Sequence, residues 1–252
     1  MSKQMPDYGL DGHVVVYAIF VLGLAAAIIG LVLVSTSSRH VSLAEALQIF
    51  GIGCVILAAL MFASSRFGKF RARDRLLARL KLRGDEAVLD VGCGHGLLLI
   101  AAAKMLPRGH AVGIDLWTMD QSDNSREATL RNAALEGVAD RVTVNDGDMR
   151  KMPFADCSFD ATVAHFAIHN VLSSEGRREA IREIVRTLKQ GGQVALSDIL
   201  AVKLYADELR KSDMVDVEIS DLSFWTFPPA RTVTARKPAL TEGTEHGSNQ
   251  HA

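Results

Sequence analysis

The chain opens with two long apolar runs. Val14 to Val34 is 21 residues without a charge, and Ala46 to Ser65 is a second uncharged run with Gln48 as its main polar interruption. About 20 apolar residues span hydrocarbon as a helix, so each run is long enough to cross a membrane. The pattern predicts a two-helix transmembrane hairpin within residues 1–65, joined by the short segment from Ser35 to Glu45. A signal peptide fits poorly. Lys3 is offset by Asp7 and Asp11, the first run is too long, and no small-residue cleavage site is clear. Gly23/Ala27 and Ala26/Gly30 have the small-xxx-small spacing that lets helices approach closely.

Residues 66–84, beginning "RFGKFRARDRLLARLKLR", predict a basic amphipathic connecting helix. Eight Lys or Arg (Arg66, Lys69, Arg71, Arg73, Arg75, Arg79, Lys81, Arg83) stand against one acid, Asp74. The connection between the apolar runs carries only Arg39. Positive charge favours the cytoplasmic side, so the expected site is the inner (cytoplasmic) membrane, multi-pass, with the following domain in the cytoplasm. Phe67, Phe70, Leu76, Leu77 and Leu80 interleave with the cations. That suits a helix lying on an anionic membrane surface, in contact with membrane lipids, or a solvated helix packed on the next domain.

From residue 85 strand and helix signals alternate, as in a parallel sheet covered on both faces. Strands are expected at 86–91, 111–116, 141–145, 161–166 and 193–197. Helices are expected at 97–105, at 127–135 with an Asn124/Glu127 capping box, at 178–188, and near 205–211. Two antiparallel strands around Phe227–Pro228–Pro229 close the pattern. The fold class is α/β, a Rossmann-like doubly wound seven-stranded sheet over residues 85–238, preceded by the hairpin. The polar tail 239–252 is expected to be disordered.

The net charge of −1 excludes a global basic field, so no nucleic-acid partner is expected. Cys54, Cys93 and Cys157 are widely spaced and form no metal pattern, and no metal is expected.

"VLDVGCGHG" (88–96) then becomes the informative stretch. A strand running through glycines into a helix gives a turn that a ligand can approach closely, beside free N–H groups and a partial positive charge. That suits a nucleotide-like cofactor with an anionic group. Gly92, Gly94 and Gly96 are spaced GxGxG. Asp90 precedes them, and Asp115 ends the next strand, 19 residues after Gly96, where it can accept from both ribose hydroxyls.

These residues resemble the class I S-adenosylmethionine-dependent methyltransferases, in particular small bacterial enzymes similar to the ubiquinone/menaquinone C-methyltransferases. "VLDVGCGHG" resembles their first motif and "VGIDLW" (112–117) their second. "NDGDMRKMPFADCSFDATVAHFAIHNV" (145–171) resembles the third region, "LKQGGQVALSDI" (188–199) the turn and fifth strand, and "RTVTARKP" the last strand. The resemblance implies S-adenosyl-L-methionine as cofactor. It places Gly92, Gly94 and Gly96 under the methionine part and Asp90 near its ammonium group. Asp115 would hold the ribose, with Leu116 and Trp117 near the adenine. Asp148 would accept from the adenine amino group, the Met149 backbone would bond the ring, and His165 would lie near the methionine carboxylate. Core packing is the alternative for Trp117 and Met149, and a helix cap for Asp148.

Methyl transfer from a sulfonium needs alignment above all, and a base only where the acceptor must lose a proton. His169, in "AIHNV", is the candidate catalytic residue, with a turn cap as the alternative. Asp120, Asp123 and Asp198 read as caps or turns. An exocyclic amine acceptor is disfavoured because "HFAIHN" stands where such enzymes carry Asn/Asp-Pro-Pro-aromatic. Arsenite is disfavoured for want of a cysteine cluster. A small-molecule acceptor that is lipid-soluble or amphipathic is expected. The alternatives are a tethered cofactor-binding scaffold with little catalysis, and a methyltransferase for a soluble or protein acceptor.

Overall fold

The computed structural model describes residues 5–36, 41–117 and 124–239. Asp120, Asp123, Arg39 and nearly all of the polar tail lie outside them. The apolar runs form α1 (His13–Thr36) and α2 (Val41–Ala63). Their buried positions recur every seven residues, at Val16, Gly23 and Gly30 in α1 and at Ala44, Gly51 and Ala58 in α2. A seven-residue repeat keeps one seam facing the partner helix. The seam is made of small residues because the backbones nearly touch. A Cβ on Gly51 would lie 2.6 Å from Ala27 N and Gly23 O. Val14, Tyr17, Val21, Leu31, Ile49, Phe50 and Ile56 point outward and are exposed. Both helices are long and apolar enough to cross a membrane.

The connecting helix departs from expectation. No break separates it from α2. A π-helical turn, Ser64–Gly68, leads directly into α3 (Lys69–Leu77). Leu76, Leu77 and Leu80 are buried with Val88, Leu98 and Leu99 in one core cluster. The apolar face is therefore spent on the following domain, which leaves only the cationic face and Phe67 outside. The helix also stops at Leu77 rather than running to residue 84.

Seven strands follow: β1 (Ala87–Val91), β2 (His110–Asp115), β3 (Val142–Asp146), β4 (Phe159–His165), β5 (Leu188–Asp198), β6 (Val215–Ile219) and β7 (Arg231–Arg236). Their order is β3-β2-β1-β4-β5-β7-β6, parallel from β3 to β5, with β7 antiparallel to both neighbours. Helices α4 (Leu97–Met105), α5 (Arg126–Leu135), α6 (Ser174–Thr187) and α7 (Val202–Lys211) cover the sheet. Alternation along the central strands serves two cores. Val88 and Val163 face the α3–α4 layer, while Leu89, Val91 and Leu196 face the α6–α7 layer. The cap of α5 is Ser125, whose hydroxyl accepts from Ala128 N at 3.1 Å, not Asn124. The order reverses between β1 and β4, so the carboxyl ends of β1, β2 and β4 open a crevice there.

Candidate active site

The glycine loop leaves β1 at that crevice. Gly92, Gly94 and Gly96 all have positive φ (75°, 48° and 85°), and Gly96 is the N-cap of α4. The loop is pinned from three sides. Gly92 N donates to Ile114 O at 2.8 Å, Thr129 Oγ1 donates to Gly94 O, and Asn132 Nδ2 donates to His95 O at 3.0 Å. At Gly92 a Cβ would collide with Ala167 Cβ, and Met149 Cε lies 3.8 Å away. Any side chain there would fill the cradle.

Asp90 is 1% exposed. Its Oδ2 accepts from Leu99 N at 2.9 Å, and its Oδ1 is buried with no hydrogen-bond partner. Burial pushes its carboxyl up to about 8, with the Asp115 charge adding to the rise. Asp115 accepts from Gly94 N (2.8 Å, Oδ2) and from Trp117 N (2.7 Å, Oδ1), which fixes its carboxylate at the mouth of the glycine loop. Trp117 Nε1 donates to Asp146 Oδ1 at 2.6 Å, which orients its ring beside β2. Leu116 is exposed.

Asp148 and Met149 sit after β3. Asp148 accepts from Arg150 N (2.8 Å) and Arg150 Nε (3.0 Å), and these bonds hold its carboxyl below the usual range. A turn of this kind fits the cap alternative as well as a ligand role.

His165 ends β4. Both ring nitrogens are shielded and have no hydrogen-bond partner, and the ring stacks on Phe166 at 4.1 Å. Burial pushes its imidazole down to about 4, so it is neutral at physiological pH. The charges of Asp11, Asp198 and Lys69 all act on it.

His169 lies on the next turn. Its Nδ1 is 2.7 Å from Asp198 Oδ1, beside the carboxylate rather than in line with it, and its backbone N donates to Asp198 Oδ2 at 3.1 Å. Asp198 is 2% exposed and also accepts from the Tyr205 hydroxyl at 3.0 Å. Burial and the Asp198 charge push the Tyr205 phenol above its ordinary range, which keeps it a donor. Asp198 was legible only as a turn residue, and nothing in the pattern tied it to His169 or Tyr205.

The first residues of the chain were also missed. Asn132 Nδ2 donates to Asp7 O at 2.6 Å, and the Tyr8 hydroxyl donates to Glu136 at 2.9 Å. Buried Lys69 donates to Tyr8 O (2.8 Å) and Gly9 O (2.7 Å). Residues 7–9 thus form a strap against α5, and Asn132 joins that strap to the glycine loop. A cleft of about 830 Å³ opens on the other side of α3, walled by Arg75, Ser197, Trp225 and Thr226.

Residues 88–192 match a family described as a methyltransferase domain. This is a class I S-adenosylmethionine-dependent methyltransferase domain. Its cofactor is S-adenosylmethionine. The crevice fits that group, with an unpartnered buried oxygen on Asp90 and a side-chain-free cradle at Gly92. The chain is 33% identical over 132 residues to a 27-O-demethylrifamycin SV methyltransferase of Amycolatopsis mediterranei, covering 52% of this chain and 45% of that one. It is 33% identical over 118 residues to a demethylmenaquinone methyltransferase of Symbiobacterium thermophilum, covering 46% and 44%. The matches thus span less than half the length of these two relatives. The methyltransferase domain also shares its fold with a geranyl diphosphate C-methyltransferase of Streptomyces coelicolor (TM-score 0.56, 16% identity, 67% of this chain and 79% of that one). The [4+2]-cyclase SpnF has the same fold (TM-score 0.56, 21% identity, 68% and 81%), so the fold alone does not name the reaction.

Proposed function

We propose that the protein is an S-adenosylmethionine-dependent methyltransferase anchored in the cytoplasmic membrane by α1 and α2, its catalytic domain facing the cytoplasm. Its acceptor is a lipid-soluble or amphipathic small molecule. The observation that carries this reading is where the hairpin meets the sheet. Ser64, one residue beyond α2, accepts from Phe227 N at 2.7 Å, and Gly68 leaves no room for a Cβ against the Trp225 carbonyl. Asp11, two residues before α1, donates its backbone N to Ser65 Oγ at 2.8 Å. Both hairpin ends therefore abut the carboxyl edge of the sheet, where donor and acceptor must meet. A molecule dissolved in the bilayer reaches that edge without crossing water. The relative named as a demethylmenaquinone methyltransferase supports the same class.

When bound, the cofactor would supply an electrophilic methyl group for transfer. The chain's own residues align and exclude water. Asp90 Oδ1 would accept from the methionine ammonium group, and the two oxygens of Asp115 from the ribose hydroxyls. Neutral His165 would donate to the methionine carboxylate, and Leu116, Trp117, Asp148 and Met149 would border the adenine end. His169 takes the proton that an acceptor hydroxyl or acidic carbon gives up, and Asp198 stabilises the imidazolium so formed. Tyr205 and the backbone of Ile199 hold the Asp198 carboxylate in place.

Incubation of the purified full chain with methyl-labelled cofactor and a total lipid extract tests this reading. The label is expected in a lipid-phase species. Label that appears only in water-soluble metabolites or protein would overturn the acceptor class.

A further inference from the structure

Near the membrane end of α2, large aromatic side chains are exposed together. Phe67 is 67% exposed and Phe224 is 76% exposed. Single exposed apolar residues are ordinary, but a cluster rimmed by cations marks a contact surface. We propose that the Phe224–Pro229 loop and Phe67 form a third membrane contact, seated in the headgroup layer of an anionic leaflet. The inference rests on the reading of α1 and α2 as membrane spans.

Helix geometry sets the height of each residue. A hydrocarbon core of roughly 30 Å takes up about 20 residues of α2, ending near Ala63, and the headgroup layer adds roughly 5–8 Å on each side. Because α2 runs into α3 without a break, each further residue rises by roughly 1.5 Å. Phe67 then stands roughly 6 Å above the hydrocarbon edge, Arg71 roughly 12 Å and Leu77, where the helix ends two residues before Arg79, roughly 21 Å. The loop descends along the same ladder. The Trp225 carbonyl touches Gly68, and Phe227 N donates to Ser64 Oγ at 2.7 Å. Phe227 is thus level with the hydrocarbon boundary, and Phe224 and Trp225 lie within the headgroup layer, where aromatic rings concentrate.

Charge points to the same occupant. The Arg71 and Arg75 guanidinium groups each lie 4.9 Å from the centre of the Trp225 ring. Neither has a carboxylate partner among the described residues. Arg73, on another face of α3, is paired with Asp74 at 2.8 Å. Unpaired cations over an interfacial tryptophan, with side chains long enough to reach down, suit lipid phosphates. The apolar face of α3 is occupied by the domain, so this loop supplies the apolar contact that the helix itself does not.

Nitroxide labels placed at Phe67→Cys, Phe224→Cys, Arg79→Cys and Val21→Cys test the proposal. The full chain, with Cys54 and Cys157 replaced by Ala, would be reconstituted in phosphatidylcholine vesicles with or without phosphatidylglycerol. Phe67 and Phe224 labels are expected to collide several-fold less with an aqueous nickel reagent than the Arg79 label, and less again when phosphatidylglycerol is present. Gln at Arg71 and Arg75 should abolish that dependence, and Gln at Arg73 should not. A Phe224 label as accessible as the Arg79 label, in protein whose Val21 label is immersed in lipid, overturns the third contact and leaves the anchor standing. A water-accessible Val21 label overturns the anchor and this inference together. Equal depth in both lipids overturns the anionic preference.

Discussion

Asp198 holds His169 at two points: its Oδ1 lies 2.7 Å from Nδ1, and its Oδ2 accepts from the backbone N at 3.1 Å. One buried carboxylate thus fixes both the position of the residue and the environment of its ring. His169→Ala is expected to lower turnover by about 10²–10⁴. The affinity for S-adenosylhomocysteine, measured by calorimetric titration, should stay nearly unchanged. A variant that turns over normally would remove His169 from the reaction. Tyr205→Phe keeps the carboxylate but loses one donor to it. Stability should then fall by about 1 kcal/mol.

Asp90 gives a pH signature. Its carboxyl is raised from 3.8 to about 8 by burial, so the folded chain binds that proton more tightly than the unfolded chain. The contribution of this group is fully present below about pH 4 and is lost as pH rises through about 8. A cofactor ammonium beside Oδ1 favours the ionised form, so binding at pH 7 should expel a proton. Calorimetric binding enthalpies in two buffers of different ionisation enthalpy should differ, and Asp90→Asn should remove the difference. Buffer-independent enthalpies for the wild type would refute this assignment.

Asp115→Ala removes the acceptors for Gly94 N and Trp117 N together with those proposed for the ribose. S-adenosylhomocysteine should bind at least about tenfold more weakly, since each charge-assisted bond is worth roughly 1.5–3 kcal/mol. Unaltered affinity would place the ribose elsewhere.

Gly51→Leu puts a side chain where Ala27 N and Gly23 O leave none. The cost should be about 1–3 kcal/mol, read as a lower midpoint of thermal unfolding in detergent. Leu60→Ala, at an exposed position of α2, should change stability by no more than roughly 0.5 kcal/mol in the same assay.

Topology can be read with native Cys157, which is exposed on the domain. An impermeant maleimide should label it only after permeabilisation, and a Ser35→Cys site in intact cells. The reverse pattern would invert the orientation.

Much of the sheet was legible because its strands obey local rules. Val88 to Val91 alternates between two cores, and Gly92 to Gly96 needs φ values that other residues resist. The helix from Lys69 to Leu77 was harder to place. Its apolar stripe suits lipid and protein equally, and only the sheet packed against Leu76, Leu77 and Leu80 decides between them. Asp198 and His169 are 29 residues apart, and no periodicity reports a contact across two strands. The Asp7–Gly9 strap was invisible for the same reason, since Asn132 reads as an ordinary position of the expected helix 127–135 and Glu136 as the residue just past it.

That strap dictates an order of assembly. Tyr8 is made before either apolar helix, yet its partner Glu136 is made long after both. During synthesis both apolar helices are made while the strap can bind Lys69 but not yet α5. Its bonds to Asn132 and Glu136 follow once α5 has formed. On the proposed membrane reading, a chain that failed to insert would hold two unsatisfied apolar helices next to the segment that finishes the domain, which would couple membrane delivery to maturation of the cofactor crevice.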